Sequence, residues 1–502
     1  MRESTDDSPT AGGVSPSVRA LRHLVAGRWR EGDGAELVDV NPAPPRETVA
    51  VGRLATEHDL DRAVAAARDA FPRWAATPHH ARGAILDRAA GILDAHAEPW
   101  GEELSREEGK TRPEGIGEVR RAAEILRYYA AESSRPVGEV FASPRPGEQI
   151  QVVHRPVGVV AVVTPFNFPV AIPAWKIAPA LGYGNTVLWK PASAVPLLAV
   201  RLAEALVQAG LPEGVLSLLI GDGVLGGRLV GHRGVDAVTF TGSTSVGRGL
   251  IADCGRLARP VQAEMGGKNA AVVLADADLE LAAGEVLAGA FRSAGQKCTA
   301  TSRLVVAEPV ADEFLTLLTK RVGALRVGDP LAEGTEMGPV ISLQARDGIQ
   351  RAVDAAAGRP GTDILTGGRP YDDDRMAGAF LPPTVIELTG QDPLWREELF
   401  GPVLAVRRAA DLNEALNLAD DGDFGLSAAV FTDDLRAVTT AVERLDVGVL
   451  HINSETAGAD PHVPFGGATQ SGYGPKEQGR AARDFFARTK TVYLRGSSGQ
   501  AQ

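Results

Sequence analysis

Residues 156–175 read PVGVVAVVTPFNFPVAIPAW, the most apolar window of the chain. The window is as long as a membrane-spanning helix, which takes about 20 residues. Four prolines and Asn167 interrupt it, and each internal proline removes a helical hydrogen bond and clashes with the preceding turn. A buried strand over Val157–Thr164, followed by an irregular turn, fits the residues better. Its β-branched run is nearly continuous, as expected of a parallel strand covered on both faces. Working outward, Asn185–Trp189, Leu216–Ile220, Ala237–Thr241 and Ala270–Leu274 have the same character. Between them, Leu197–Ala209 and Val246–Asp253 carry helical patterns. Such alternation predicts an open α/β sheet that binds a ligand at its strand ends. A second α/β series is expected from about Gly266 to Thr456, with helices such as Ala311–Val322.

The flanks read differently. From Thr56 to about Ser133 the pattern is helical: Thr56 and Asp59 have capping-box spacing, and Leu60, Ala63, Val64, Ala67 and Phe71 share one face. Arg145–Arg155 and Lys490–Arg495 are candidate outlying strands that could pair with another subunit. The first 20 residues are rich in Ser, Pro, Gly and Asp and lack an apolar segment, so they read as a disordered tail and not as a signal peptide. The final SSGQAQ reads as another loose end. No internal repeat is apparent.

The chain has 502 residues, with 52 Lys and Arg against 64 Asp and Glu, a formal net charge of −12. This length suggests two or three domains with sizeable cores. At 44% hydrophobic and 23% charged residues the composition is that of a folded protein. The acidic balance, with no Lys/Arg run, argues against a nucleic-acid partner. Two cysteines, Cys254 and Cys298, cannot build a disulfide framework, which favours a reducing cytoplasm. The nine histidines are scattered without zinc-ligand spacing, so no metal is expected.

Three short segments bear chemistry. Cys298 sits in Gly295-Gln296-Lys297-Cys298-Thr299, where small and polar neighbours suggest a tight turn presenting the thiol, and Lys297 could help keep a thiolate. The other reading is a buried small hydrophobe, which is the one taken for Cys254. Glu264 opens Glu264-Met265-Gly266-Gly267-Lys268-Asn269, and a carboxylate before two glycines suits a general base or a salt-bridged loop. Gly242-Ser243-Thr244-Ser245-Val246-Gly247 follows a predicted strand and opens a predicted helix, as a dinucleotide-binding turn would.

In order along the chain come Thr164-Pro165-Phe166-Asn167-Phe168-Pro169, Trp189-Lys190-Pro191-Ala192, Phe240-Thr241-Gly242-Ser243, Glu264 to Asn269, Gly295 to Cys298, Glu398-Leu399-Phe400-Gly401-Pro402 and Pro464-Phe465-Gly466-Gly467. Together they resemble the NAD(P)-dependent aldehyde dehydrogenase superfamily, from about Leu24 to Leu494, and the spacing of 34 from Glu264 to Cys298 agrees with that family. The resemblance implies a Rossmann-type cofactor domain (21–144 and 160–265), an α/β catalytic domain (266–470) and a small β oligomerisation extension (145–159 and 485–496). It also implies a homodimer or homotetramer. Cys298 would attack the aldehyde carbon, with the amide of Asn167 and the Cys298 N–H holding the oxyanion, and Glu264 would activate water against the thioester. Lys190 and Glu398 match positions that bind the two cofactor riboses, and Phe400 one beside the nicotinamide. Gly242, Ser243 and Gly247 would meet the pyrophosphate. Thr164, Pro165, Phe166, Ala192 and Gly266 fall in the same cofactor motifs.

The chain departs from the family pattern at two positions, the first of them mildly and without catalytic consequence. Many members carry Trp where this chain has Phe166, and NAD-preferring members carry Glu where it has Ser193. Without that carboxylate a 2′-phosphate is not repelled, so NADP is favoured over NAD. Arg292, six residues before Cys298, matches a place where semialdehyde dehydrogenases often carry Arg, and Phe465 lies in a substrate-side motif. With Ala457 to Gly467, these cues resemble the 2-oxoglutarate semialdehyde (2,5-dioxovalerate) branch, with succinate semialdehyde and neutral or aromatic aldehydes as alternatives. Acylation of coenzyme A and a scaffold without turnover are disfavoured because Glu264, Cys298 and Asn167 are all present.

Overall fold

Val159–Val163 is an inner strand of an eight-stranded sheet in the computed structural model, which describes residues 18–44, 47–135 and 138–496. Its parallel neighbours are Thr186–Lys190 on one side and Ala237–Thr241 on the other. Leu216–Leu218 and Val261–Glu264 extend the parallel set outward. Antiparallel strands close the two sides, His23–Val25 and then Arg28–Arg30 on one and Gly472–Tyr473 on the other. Every side chain of Thr186–Lys190 and Ala237–Thr241 is buried, as covering on both faces requires. The chain therefore runs outward on one side of Val159–Val163 and then crosses to the other side. That reversal opens a crevice at the strand ends.

Four helices precede the parallel strands of this sheet: α1 (Glu57–Ala76), α2 (His79–Ala95), α3 (Ala97–Glu108) and α4 (Arg112–Glu132). The predicted capping box is formed, Thr56 and Asp59 satisfying each other's backbone. Crossover helices α5 (Ala171–Gly182), α6 (Pro196–Gln208), α7 (Gly223–Gly231) and α8 (Thr244–Arg256) cover the sheet. The second α/β series is a seven-stranded sheet, in spatial order Thr362–Thr366, Thr384–Leu388, Val403–Ala409, Thr301–Ala307, Asn269–Val273, Ser427–Phe431 and Val449–Ile452. It is parallel except at Thr362–Thr366. It packs with α9 (Leu279–Phe291), α10 (Glu308–Gly323), α11 (Leu343–Ala357), α12 (Leu412–Asp420) and α13 (Leu435–Arg444) around its own core.

The outlying strands differ from expectation in their partner. Glu148–Pro156 and Ala487–Arg495 pair antiparallel with each other, Ala487 opposite Pro156 and Arg495 opposite Glu148. Gly138–Ala142 adds a third strand. Backbone pairing within the chain satisfies these segments, so they need no second subunit to become strands. Of the predicted N-terminal tail, residues 1–17 lie outside the described residues, whereas Arg19–Ala20 pair with Ala50–Val51. The final SSGQAQ also lies outside them. Among the described residues no helix is long and apolar enough to cross a membrane.

One buried cation ties the second sheet to the segment entering the crevice. Arg303, on Thr301–Ala307, donates to the carbonyls of Lys268 (2.7 Å), Ala419 (2.7 Å), Asp421 (2.8 Å) and Leu418 (3.2 Å). Three of these carbonyls belong to the end of α12, where the last turn lacks intrahelical donors. The indole of Trp395 lies 5.4 Å from the guanidinium carbon. Arg303→Met should strip the buried carbonyls of Lys268 and Ala419 of this donor, along with the part-buried ones of Leu418 and Asp421, and cost about 3 kcal/mol or more. Urea unfolding checks this: a shift worth less than about 1 kcal/mol would mean that water replaces the guanidinium.

Candidate active site

The crevice is a cavity of about 640 Å³ lined by the segments that leave four parallel strands. Thr164, Pro165, Phe166 and Asn167 follow Val159–Val163; Lys190, Ala192 and Ser193 close and follow Thr186–Lys190. Gly242 and Ser243 follow Ala237–Thr241, and Met265 and Gly266 follow Val261–Glu264. From the second α/β unit come Cys298, Glu398 and Phe400. Ser243 is the N-cap of α8 but its hydroxyl makes no cap hydrogen bond, which leaves the first N–H groups of α8 for an anion. The hydroxyls of Thr241 and Thr244 are buried without a partner among the described residues.

Several details bear on a dinucleotide. Lys190 is buried and forms no ion pair among the described residues; desolvation lowers its pKa, partly offset by the charge of Asp222. Glu398 accepts the Gly267 N–H at 2.9 Å, and a Cβ on Gly266 would sit 2.0 Å from its carboxylate. Phe166 meets Phe400 edge-on at 5.7 Å, so the smaller ring at position 166 is still packed. Gly247 does not line the cavity: a Cβ there would lie 2.5 Å from Met265 Sδ, so this glycine lets α8 close on the sheet. Ser193 lines the cavity and brings no carboxylate to it. An unpaired cation, an open helix N-terminus and orphaned hydroxyls fit the phosphates and riboses of a nicotinamide dinucleotide.

Cys298 lies in a turn whose position is set by the strand Asn269–Val273. Asn269 Nδ2 donates to the carbonyls of Cys298 (2.8 Å) and Ala300 (2.9 Å), and its Oδ1 accepts from Ser427 N–H (3.1 Å). Gly295, at φ +71°, could not carry a side chain, because its Cβ would meet the Gly401 carbonyl at 2.3 Å. Burial and the charges of Glu398 and Glu264 push the Cys298 thiol up to about 12. Lys297 does not offset this, contrary to the reading of its adjacency. Its ammonium points to Glu455 (3.5 Å) and the Ala288 carbonyl (3.4 Å).

Glu264 ends its strand and is buried, outside the cavity lining. Its Oε2 accepts the Gly467 N–H at 3.0 Å. Burial, then the charge of Glu477, raises its pKa well above the ordinary range, against the Gly467 hydrogen bond and the lysines Lys176 and Lys476. Glu477 and Lys176 form a fully buried ion pair, and Lys176 also donates to Thr239 Oγ1 (2.9 Å) and the Phe240 carbonyl (3.2 Å). Neither residue was singled out from the sequence. The visible sign was Lys176 itself, the one charge in the apolar helix Ala171–Gly182. Phe465 is buried, exchanges backbone hydrogen bonds with Glu477 and lies 5.8 Å from the Trp175 ring. Arg292 stands outside the cavity lining, exposed, and pairs with Glu455 at 3.3 Å. The loop that carries Glu455 is also held by Arg121 of α4, which donates to the Ala459 carbonyl and pairs with Asp460 at 3.3 Å. Cys254 is buried on α8.

Comparison with known proteins agrees with this arrangement. Residues 29–492 match the Aldehyde dehydrogenase family. The chain is 40% identical over 479 residues to an alpha-ketoglutaric semialdehyde dehydrogenase of Bacillus subtilis, covering 94% of this chain and 98% of the relative. It is 39% identical to a 2,5-dioxopentanoate dehydrogenase of Saccharolobus solfataricus, over 93% and 98% of the two chains. A crystal structure of betaine aldehyde dehydrogenase from Staphylococcus aureus in complex with NAD+ superposes with a TM-score of 0.90 at 33% identity, covering 94% of each chain. With a match over nearly its full length and relatives at this identity, the chain belongs to the aldehyde dehydrogenase family and is an aldehyde dehydrogenase.

Proposed function

We propose that this enzyme oxidises an aliphatic aldehyde bearing a carboxylate, 2-oxoglutarate semialdehyde foremost, to the acid, with NADP favoured over NAD. The observation that carries the reading is the meeting of Cys298 and Asn167 in the crevice at the strand ends of the first sheet. The substrate class is supported by the names of the relatives and by Arg292 and Arg121, two cations that pair with Glu455 and Asp460 of one loop. The cofactor preference is supported by Ser193, which places no carboxylate against a 2′-phosphate.

Cys298 Sγ, only half-buried, gives its proton to water in the crevice and forms a bond to the aldehyde carbon, while the carbonyl electron pair moves to oxygen. The Asn167 amide and the Cys298 N–H hold that oxyanion. A bound nicotinamide cofactor would supply the hydride acceptor needed for the adduct to become a thioester. Lys190, Glu398 and the start of α8 would hold its riboses and pyrophosphate, with Thr164, Pro165, Phe166, Ala192, Gly242, Ser243 and Gly266 shaping the walls. Glu264 gives up the Gly467 N–H and takes a proton from water. The water oxygen bonds to the thioester carbon, and the C–S bond breaks to return the sulfur of Cys298. Gly247 serves the cofactor indirectly, by letting α8 approach.

The first sheet is then the cofactor domain, the second the catalytic domain, and the three-stranded sheet the oligomerisation extension of a homodimer or homotetramer. Its outer strands expose Val140, Phe141, Tyr493 and Leu494, a surface a second copy would cover. Two free cysteines and no disulfide support a cytoplasmic location.

Initial rates of reduced-cofactor formation test the substrate reading, using 2-oxoglutarate semialdehyde, succinate semialdehyde, a neutral aliphatic aldehyde and benzaldehyde, each with NAD and NADP. The semialdehydes and NADP should lead. Arg292→Ala should lose about 10- to 100-fold in kcat/KM on the semialdehydes only, the worth of one hydrogen bond to a charged group. Equal losses on neutral aldehydes would remove its anion-binding role. Glu264→Gln should keep a stoichiometric burst of reduced cofactor while steady turnover falls on the order of 100-fold or more; loss of the burst would place Glu264 before acylation. The raised thiol pKa gives a pH test. Because Cys298 is protonated at neutrality, its alkylation by iodoacetamide in the cofactor-free enzyme should keep climbing with pH far into the alkaline range. Glu398→Gln removes a charge that disfavours the thiolate, so it should move the profile to lower pH. A plateau near neutrality in the unaltered enzyme would show a thiolate already formed.

A further inference from the structure

Addition to the aldehyde needs two irregular segments at a fixed separation, one bearing Cys298 and one bearing Asn167. Both are held by the same short stretch at the α3–α4 junction. Glu114, in the first turn of α4, divides its carboxylate between two tasks. Its Oε2 accepts the Thr111 N–H (2.9 Å) and hydroxyl (2.8 Å), closing the capping box of α4. Its Oε1 accepts the N–H (2.8 Å) and hydroxyl (3.2 Å) of Ser293, 179 residues away in sequence and five before Cys298.

Ser293 is an unusual residue to find held there. It and Ala294 have φ of +54° and +51°, a left-handed backbone that side chains disfavour and that helix ends normally give to glycine. Such conformations persist only where surrounding contacts over-determine them. Two charge-assisted hydrogen bonds to Glu114 do so at Ser293. The restraint passes toward the nucleophile: the Ser293 carbonyl accepts the Gln296 N–H (3.0 Å), and Gln296 Oε1 accepts the Ile341 N–H (2.8 Å).

The other side of the junction reaches the Asn167 loop. Buried Lys110 donates to the Asn167 backbone carbonyl and to Glu118 Oε2 (2.7 Å), with its ammonium 3.8 Å from the centre of the Phe168 ring. Glu118 Oε1 accepts the N–H groups of Val170 (2.9 Å) and Ala171 (3.2 Å), where α5 begins. Glu114 and Glu118 are one turn apart on the rigid α4.

We propose that the Lys110–Glu118 stretch is the positioning bridge of the addition step: Glu114 sets the Cys298 loop, Lys110 with Glu118 sets the Asn167 loop, and the start of α4 fixes the gap between them. These are positioning residues, and the proposal rests on the reading of Cys298 as nucleophile and Asn167 as oxyanion donor.

The test compares Glu114→Ala, Glu114→Gln and Thr111→Val in the full-length enzyme. Glu114→Ala should lower kcat on the order of 100-fold, the scale of a displacement of about 1 Å at a reacting pair, with the cofactor KM nearly unchanged. Glu114→Gln keeps an acceptor oxygen and should recover most of the loss. Thr111→Val removes the cap hydroxyl but leaves the Ser293 contacts, so it controls for a weakened helix start and should keep near-normal kcat. The alkylation rate of Cys298, read by peptide mass spectrometry at one pH, should change several-fold in Glu114→Ala and not in Thr111→Val. Parallel losses of kcat and melting temperature in Glu114→Ala and Thr111→Val, or unchanged alkylation in Glu114→Ala, would reduce Glu114 to a helix cap and overturn the proposal. If the unaltered enzyme turns over no aldehyde, the functional reading fails, while the alkylation comparison still decides whether the bridge sets the Cys298 loop.

Discussion

The amide of Asn269 satisfies three buried backbone groups at once, and the site depends on that arrangement. It fastens the carbonyls of Cys298 and Ala300 to the first residue of a central strand, and it accepts the Ser427 N–H from the neighbouring strand. No single water or shorter side chain could reproduce all three contacts with the same geometry. The approach is so close that a Cβ on Gly267 would fall 2.6 Å from the Cys298 carbonyl. Meanwhile the N–H of that glycine is taken by Glu398. Cys298, the proposed nucleophile, is thus mounted on the second sheet, whereas Asn167, the proposed oxyanion donor, is mounted on the first. The separation of the two is a distance between two cores.

How much of this was legible in the sequence follows from the range of the forces involved. Strand character is local: the β-branched runs around Val160, Val187 and Val238 mark fully buried strands, and the structure moves their ends by only a few residues. Caps are local too, so Thr56 and Asp59 could be read as a helix start. The motifs around Asn167, Glu264 and Cys298 were visible because close backbone approach selects glycine and short polar residues. Illegible were the partners across hundreds of residues. Lys176 meets Glu477 over 301 positions, and Glu114 meets Ser293 over 179. Composition and period say nothing of such pairs, although a lone lysine in an apolar helix or an acid three residues after Thr111 hints that a partner exists.

Lys297 shows the converse error, in which adjacency is mistaken for interaction. In a turn, successive side chains leave in different directions, and that of Lys297 leaves toward Glu455. The charge beside the sulfur is negative: Glu398 and Glu264 both disfavour the thiolate. A site meant to keep a free thiolate would be built the other way, with cations or a helix N-terminus at the sulfur. Here burial and the two carboxylates favour the thiol form of Cys298, the form less prone to oxidation, since oxidation follows thiolate character.

The same electrostatics imposes an order on the chemistry. In a buried site the thiolate of Cys298 and the carboxylate of Glu264 oppose each other's ionisation, and Glu477 adds a third negative charge on the side of Glu264. Ionising both at once is therefore the most costly state available. Once the sulfur is bonded to carbon it carries no charge, and the obstacle it posed to a charged Glu264 is gone. Before that, burial and Glu477 oppose the ionised form of Glu264, which lies against the Gly467 N–H outside the cavity lining. Two buried negative charges at once are what the site opposes most, so an ionised Glu264 is least disfavoured when the sulfur of Cys298 is bonded to carbon.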